Sequence, residues 1–266
     1  LKRVFAKYRP EVVFHAAAHK HVHLMEQHPD EAIKNNIFGT ANIAEISLET
    51  GVSVFVLISS DKAVNPKSVY GATKKAAEYI VQDLSGEGKT KFVVVRFGNV
   101  IRSRGSIIPI FEKQIRNGGP VTVTHPEMER FFMSIPEAAY LVLQSGGVAL
   151  PGQVCVLDMG DPVKIIELAN HLIEEAGLVP GKDVAIKVTG SRPGEKIFEE
   201  LVMAKNKLRA TEWTKILLDE PDRIDSDHLH GALAVLHSEV DSCSRGELLT
   251  HLQHLVPTYT SQEQEV

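Results

Sequence analysis

Two unbroken apolar runs, "VSVFVLIS" at 52–59 and "KFVVVRFG" at 91–98, constrain this chain more than any other feature. A strand with one wet face alternates apolar and polar residues. A run that is apolar at nearly every position needs cover on both faces, as parallel strands between layers of helices have. Between the two runs a helix is predicted from about Val69 to Leu84. Upstream, "EVVFHAAA" reads as a strand, and Ile33, Ile37, Ala41, Ala44 and Leu48 then recur at the spacings of a helical stripe that Gly51 ends. Strands alternating with helices in this order imply an α/β fold with a doubly wound parallel sheet.

After Gly98 the rhythm loosens. Helices are predicted over 107–117, 136–145 (opened by Pro136) and 162–176, with strands at "PVTVT", "QVCVLD" and "VAIKVTG". From 204 the chain is more polar, with short helices expected around 228–239 and 245–254 and a frayed end, "TSQEQEV". This divides the chain into 1–98, 99–203 and 204–266, and with no repeat or low-complexity linker the second part is expected to pack on the first. The opening "LKRVFAKYRP" has no initiator Met and reads as the last turns of a helix, as if cut from a longer chain.

Of the 266 residues 24% are charged and the net charge is −5, which argues against a nucleic-acid binder relying on broad positive potential. No apolar stretch of about 18–20 residues is present, so no membrane segment is expected within this chain, and no signal-peptide pattern opens it. Cys155 and Cys243 make no disulfide framework; Cys155, within "VCVLD", reads as a core thiol, and a reducing cytoplasm is the default location.

"SSDKAVNPKSVYGATKK", 59–75, crowds Asp61, Lys62, Tyr70 and Lys74 against the end of a buried strand. In open α/β sheets ligands bind outside the carboxyl ends of the strands, which is where this segment and "GNV" at 98–100 fall. Tyr70 and Lys74, four apart, share a helix face. A neighbouring ammonium favours phenolate, so such a tyrosine could take a hydroxyl proton while hydride leaves for a nicotinamide. Ser60 could steady the substrate oxygen. Lys62, held neutral by burial and cationic neighbours, could remove an acidified C–H proton, and Asp61 could protonate a departing hydroxyl. Read singly, a packed tyrosine, a solvated lysine and a capping aspartate serve as well.

Seven segments in order, "HAAAHKHV", "NIFGTAN", "SSDKAVNPKSVYGATKK", "VRFGNV", "SRGSIIPIF", "GGPVTVTHPEMERFFMSIPEA" and "SRPGEKIFEEL", resemble the polysaccharide-biosynthesis branch of the extended short-chain dehydrogenase/reductases, the nucleotide-sugar 4,6-dehydratases acting on UDP-N-acetylglucosamine. The resemblance runs from about residue 4 to 202. It implies a Rossmann-like sheet lacking its first strands, with a smaller interleaved α/β substrate-binding region. On that reading 1–98 is a partial NAD(P)-binding domain carrying the catalytic residues, 99–203 completes the sheet and forms the nucleotide-sugar site, and 204–266 is a helical tail. Tyr70 and Lys74 match the oxidising pair, and Ser60, Asp61 and Lys62 the triplet for water elimination. NAD or NADP takes hydride from sugar C4 and returns it at C6 of a 4-keto-6-deoxy product.

The resemblance also assigns binding residues. Ala16, Ala17, Ala18 and Asn36 match segments that line the cofactor or brace the sheet, together with Tyr70 and Lys74. Asn99 and Arg192 match residues near the substrate phosphates, and Arg130 is a second candidate for the phosphates or for closing the binding loop. Glu195 and Lys196 read as a helix start. His19, His21, His23 and His28 have no distinctively spaced acidic or thiol partner, so no metal is assigned.

Departures are equally plain. The G-x-x-G-x-x-G loop that cradles a cofactor pyrophosphate is absent, and Arg102 stands where the family usually has glycine, either adding a phosphate contact or obstructing the site. Some relatives carry an N-terminal membrane region, and relatives commonly form oligomers, which leaves a membrane-anchored parent and a homo-oligomer open. Two competing readings remain, an epimerase sharing the tyrosine–lysine pair and a non-catalytic nucleotide-sugar-binding remnant.

Overall fold

The computed structural model describes residues 1–203 and 208–261. Helix α1 (Lys2–Tyr8) leads into strand β1 (Val12–His15). The short helix α2 (Val22–Gln27) and a turn at Pro29–Ala32 precede a π-helical stretch, Ile33–Phe38, that continues as α3 (Gly39–Glu49). Gly51, at φ 71°, ends that helix as the sequence predicts. Then come β2 (Val54–Ile58), α4 (Val69–Leu84) and β3 (Lys91–Arg96), with boundaries close to those predicted. Beyond them lie α5 (Ile107–Arg116), α6 (Ile135–Val148), β4 (Val154–Leu157), α7 (Ile165–Glu175), β5 (Arg209–Ala210), β6 (Ile216–Asp219), α8 (Ser226–Glu239) and α9 (Arg245–Leu255).

Strand order in the main sheet is β1-β2-β3-β4-β6-β5. The first four strands are parallel, whereas β6 runs antiparallel to β4 and β5 antiparallel to β6. The doubly wound parallel sheet expected from the sequence is present in β1 to β4, and β6 and β5 extend it with antiparallel pairing. Ahead of its two helices, the segment expected to be a helical tail adds a hairpin to the sheet edge. The frayed end predicted over 260–266 lies, from 262 onward, outside the described residues.

The unbroken apolar runs have the cause expected. Phe55, Leu57, Phe92, Val94, Val154 and Val156 pack on one face of the sheet with Ala44 of α3 and Ala77 and Val81 of α4. Val56, Val93, Val95, Cys155 and Leu157 pack on the other with Leu141 and Val142 of α6. Burial pushes the Cys155 thiol up to about 11, as befits a core thiol. The outer side of α4 meets α8, α9 and the π-helical stretch through Ala72, Ala76, Leu236, Leu252, Ile33 and Ile37. A separate apolar cluster joins α5 and α7 to the parallel strands Val121–Val123 and Ile186–Val188. Among the described residues no helix is long and apolar enough to cross a membrane.

A buried ionic network crosses these layers. Glu78 on α4, fully buried, accepts from Arg96 Nε at 2.8 Å and Nη2 at 2.6 Å. Arg96 Nη1 reaches Asp219 of β6 at 2.9 Å, and Lys75 joins Glu78 to Asp222 at 3.3 and 2.6 Å. Burial alone would raise the Glu78 carboxyl, but Arg96 and Lys75 outweigh it and hold it at about 2. Removing one partner strands an opposite charge in the core, so Arg96→Leu should lower unfolding free energy by about 3–5 kcal/mol. The double replacement Arg96→Leu/Glu78→Leu should recover much of that loss. Urea unfolding of both variants checks this, and an Arg96→Leu chain as stable as the parent would contradict it.

Candidate functional site

Past the ends of β2 and β3 the pairing continues, with Ser59 N donating to Val95 O at 2.7 Å and Asp61 N to Phe97 O at 3.1 Å. A 3₁₀ turn, Asp61–Ala63, then bends the chain, with the Ser60 hydroxyl accepting from Lys62 N. The first turn of α4 lies directly over it. A Cβ at Gly71 would sit 2.2 Å from the Lys62 carbonyl oxygen, so only glycine admits this approach. Ser68 caps α4 by accepting from Gly71 N, and the Glu26 carboxylate accepts from Val69 N at 2.7 Å, which fixes where Tyr70 emerges.

These local structures gather a dense charge cluster. Asp61, fully buried, accepts from Ser60 Oγ at 2.7 Å, from Lys62 N at 2.9 Å and from Lys62 Nζ at 3.1 Å. Lys62 Nζ lies also 3.2 Å from Glu199 Oε1. Burial pulls the Lys62 pKa down, but Asp61 and Glu199 outweigh burial and the nearby Arg130, and the net direction is up. Lys62 is thus an ammonium between two carboxylates, not the neutral amine expected from its sequence context. Glu199, which the sequence reading passed over, is buried and its second oxygen, Oε2, has no hydrogen-bond partner among the described residues.

Tyr70 also departs from expectation. Burial raises its phenol pKa. Lys62 and a hydrogen bond with Ser60 pull it down, Asp61 and Glu199 push it up, and the net direction is up. The cation acting on the phenol is Lys62 rather than Lys74. Lys74 lies one turn on, buried, and loss of solvent lowers it to about 8 despite the Glu78 carboxylate. Burial, and after it the charge of Lys74, lowers His15 at the end of β1 to about 4. The Lys74 amine therefore faces the mouth of β1, from which Ala16 and Ala17 continue as exposed residues and Ala18 as a half-exposed one.

Asn36, within the π-helical stretch, accepts from His19 N at 2.8 Å and donates to His19 O and Thr73 Oγ1, each at 3.0 Å. It braces the loop after β1 against α4. Gly98 sits beside the Asp61 carboxylate, whose Oδ2 is 3.3 Å from the position of a Cβ there, and Asn99, half-buried, donates its backbone N–H to Phe131 O at 3.0 Å. Arg130 is buried and donates to the carbonyls of Glu129 at 2.7 Å, Ile197 at 3.1 Å and Lys196 at 2.7 Å, which fastens the segment carrying Glu199. Glu195 and Lys196 start no helix; Lys196 Nζ instead donates to Val64 O at 2.7 Å. Arg192 is exposed at the rim of that segment. Arg102 has φ 55°, a left-handed conformation that glycine adopts freely, and its side chain pairs with Glu112 at 3.0 Å, away from the cluster.

Residues 1–221 match the polysaccharide biosynthesis protein family. The chain belongs to that family. The chain is 60% identical over 204 residues to the probable polysaccharide biosynthesis protein EpsC of Bacillus subtilis, a match covering 77% of this chain and 34% of EpsC. It is 35% identical to the inverting UDP-N-acetylglucosamine 4,6-dehydratase of Campylobacter jejuni over 72% of this chain and 56% of that protein. The matched region is thus about one third of EpsC and little over half of the dehydratase. Its fold is that of the Thermus thermophilus UDP-glucose 4-epimerase in complex with NAD (TM-score 0.66, 19% identity, 96% of this chain and 80% of that one).

The half of the site that would face a nicotinamide and its ribose fits such a cofactor: a buried tyrosine, a lysine with a depressed pKa, and small residues at a strand's carboxyl end. A glycine-rich pyrophosphate cradle is not part of this sequence. Lys74 carries a pH signature. Its folded pKa of about 8 lies below the 10.5 of the unfolded side chain, so the unfolded state binds the proton more tightly and stability rises with pH between those values. Relative to Lys74→Met, the parent should gain about 2 kcal/mol between pH 8 and 10. Urea unfolding at the two pH values measures it, and a pH-independent difference would refute the buried amine.

Proposed function

We propose that this chain carries the proton-transfer machinery of a nucleotide-sugar 4,6-dehydratase working on a UDP-N-acetylglucosamine-type substrate in surface polysaccharide synthesis. The observation that carries the reading is Lys62 Nζ bridged between Asp61 and Glu199, with Tyr70 and Ser60 alongside. Exchange of hydride with a sugar carbon needs one proton handler. Elimination of water needs two more, a base for C5–H and an acid for the departing C6 hydroxyl.

NAD or NADP, when bound, supplies the hydride acceptor and donor. Tyr70, acting as the phenolate that the Lys62 ammonium favours, takes the proton of the C4 hydroxyl, with Ser60 holding that oxygen and Lys74 on the cofactor side. Ketone formation acidifies C5–H. Lys62, held between Asp61 and Glu199, passes its proton to Asp61, 3.1 Å away, and as the free amine removes the C5 proton. Asp61 delivers that proton to the C6 oxygen as water departs. Asn99 and Arg192 would contact the sugar phosphates, Arg192 suited by its planar fork to paired bonds with phosphate oxygens. Ala16–Ala18 and Asn36 shape the cofactor side. By this reading 1–98 holds cofactor and chemistry, 99–203 the nucleotide-sugar, and the remainder closes the fold.

A second reading, an epimerase, has support in the shared tyrosine–lysine pair but gives Asp61 and Glu199 no task. Incubation with UDP-N-acetylglucosamine and NAD(P) in heavy water separates the two by mass. Dehydration predicts loss of one water with one deuterium gained at C5. Epimerisation predicts unchanged mass. Glu199→Gln should lower kcat by about 10²–10⁴ while KM stays within a few fold. Unaltered kcat in that variant would remove Glu199 from the proposed machinery.

A further inference from the structure

Outside the candidate site, three side chains of different donor chemistry converge where α8 passes into α9. Glu239 is the last residue of α8, and Cys243 follows four positions on, its backbone N–H donating to the Glu239 carbonyl at 2.9 Å. His251 lies on the second turn of α9. Glu239 Oε2 is 2.8 Å from His251 Nε2 and 3.5 Å from Cys243 Sγ, and Sγ is 3.8 Å from Nε2. The three residues are half-buried, and their donor atoms form a small triangle of one sulfur, one nitrogen and one oxygen.

That triangle has dimensions an ion would impose. Zinc binds thiolate sulfur at about 2.3 Å and imidazole nitrogen or carboxylate oxygen at about 2.0 Å, in a tetrahedron. Tetrahedral angles then put sulfur about 3.5 Å from each of the other two donors, and nitrogen about 3.3 Å from oxygen. Each observed edge is within about half an ångström of its counterpart, a shift that side-chain torsions supply without moving either helix. The backbone bearing the donors is already fixed, because Leu229 and Leu236 of α8 pack with Leu248 and Leu252 of α9 in one buried cluster. Thiolate with imidazole selects zinc-class ions over magnesium or calcium, which take oxygen ligands.

We propose that Glu239, Cys243 and His251 form a binding site for a divalent ion of the zinc class, clamping the α8–α9 pair and leaving a fourth position to solvent. The ion ties the end of α8 to the middle of α9. Half-burial leaves a path for it to enter.

The test uses the whole chain, stripped with chelator and kept reduced by an agent that does not bind metal. It is titrated with cobalt(II) and then zinc(II). The expected result is one cobalt per chain, with a thiolate-to-cobalt charge-transfer band and the intense visible absorption of a four-coordinate ion, both abolished by zinc. Zinc should also raise the melting temperature. Cys243→Ser should lose the charge-transfer band although Cys155 is intact, and His251→Ala should weaken zinc binding by more than about tenfold. Absence of stoichiometric binding, cobalt bound without a thiolate band, or a Cys243→Ser chain that binds zinc like the parent would each overturn the site. The band on the unaltered chain decides the matter even where a variant fails to fold.

Discussion

The Glu78 carboxylate organises this structure. It lies in the interior between α4 and the sheet, where a lone charge would be prohibitively unfavourable, and is tolerated because Arg96 presents a fork to it and Lys75 approaches from its own helix. Arg96 and Lys75 in turn hold Asp219 and Asp222, at and just beyond the last strand of the sheet. One buried anion thereby fixes the height of α4 over β3 and locks the C-terminal hairpin to the edge. Since Tyr70 and Lys74 sit on the same helix, the placement of the proposed reacting groups depends on that ionic anchor.

Charge balance within the proposed site follows a different logic. Asp61, Lys62 and Glu199 give two carboxylates to one ammonium, and Arg130 stands behind them, its Nε 3.9 Å from Glu199 and its other nitrogens on backbone carbonyls. A buried cation with two anionic neighbours stays charged, however strongly desolvation opposes it. Its proton can leave only toward one of those two anions. Lys74 shows the opposite balance: with Glu78 engaged by Arg96, desolvation dominates and the amine titrates near neutrality.

The local part of this arrangement was legible in the amino-acid order. The runs that became β2 and β3, the helix from Val69 to Leu84 and the Asp61–Lys62 step after a strand end are all short-range patterns. Contacts between distant segments were not. Strand β6 is four residues in a polar stretch, and pairs antiparallel with β4 some sixty positions earlier, so nothing in its neighbours announces it. Glu199 follows a proline-glycine turn that reads as a helix start, yet the backbone stays irregular because Arg130 claims its carbonyls. Spacing placed Tyr70 and Lys74 on one helix face, but only the turn at Asp61–Ala63 brings Lys62 to the phenol.

The π-helical stretch at Ile33–Phe38 bears on how the chain tolerates change in length. A π turn accommodates one residue more than an α turn, and such turns often mark functional positions. Each residue of an ordinary α-helix advances the side-chain direction by about 100°. Deleting one residue between Ile33 and Phe38 would convert the stretch to regular helix, leaving both flanks facing as they do because the wide turn absorbs the extra residue locally, but turning the side chains within it. Asn36 would then lose its alignment with Thr73 and the loop at His19 its brace, although every apolar residue of the segment could remain. The segment is thus more sensitive to its residue count than to the identity of its hydrophobic side chains.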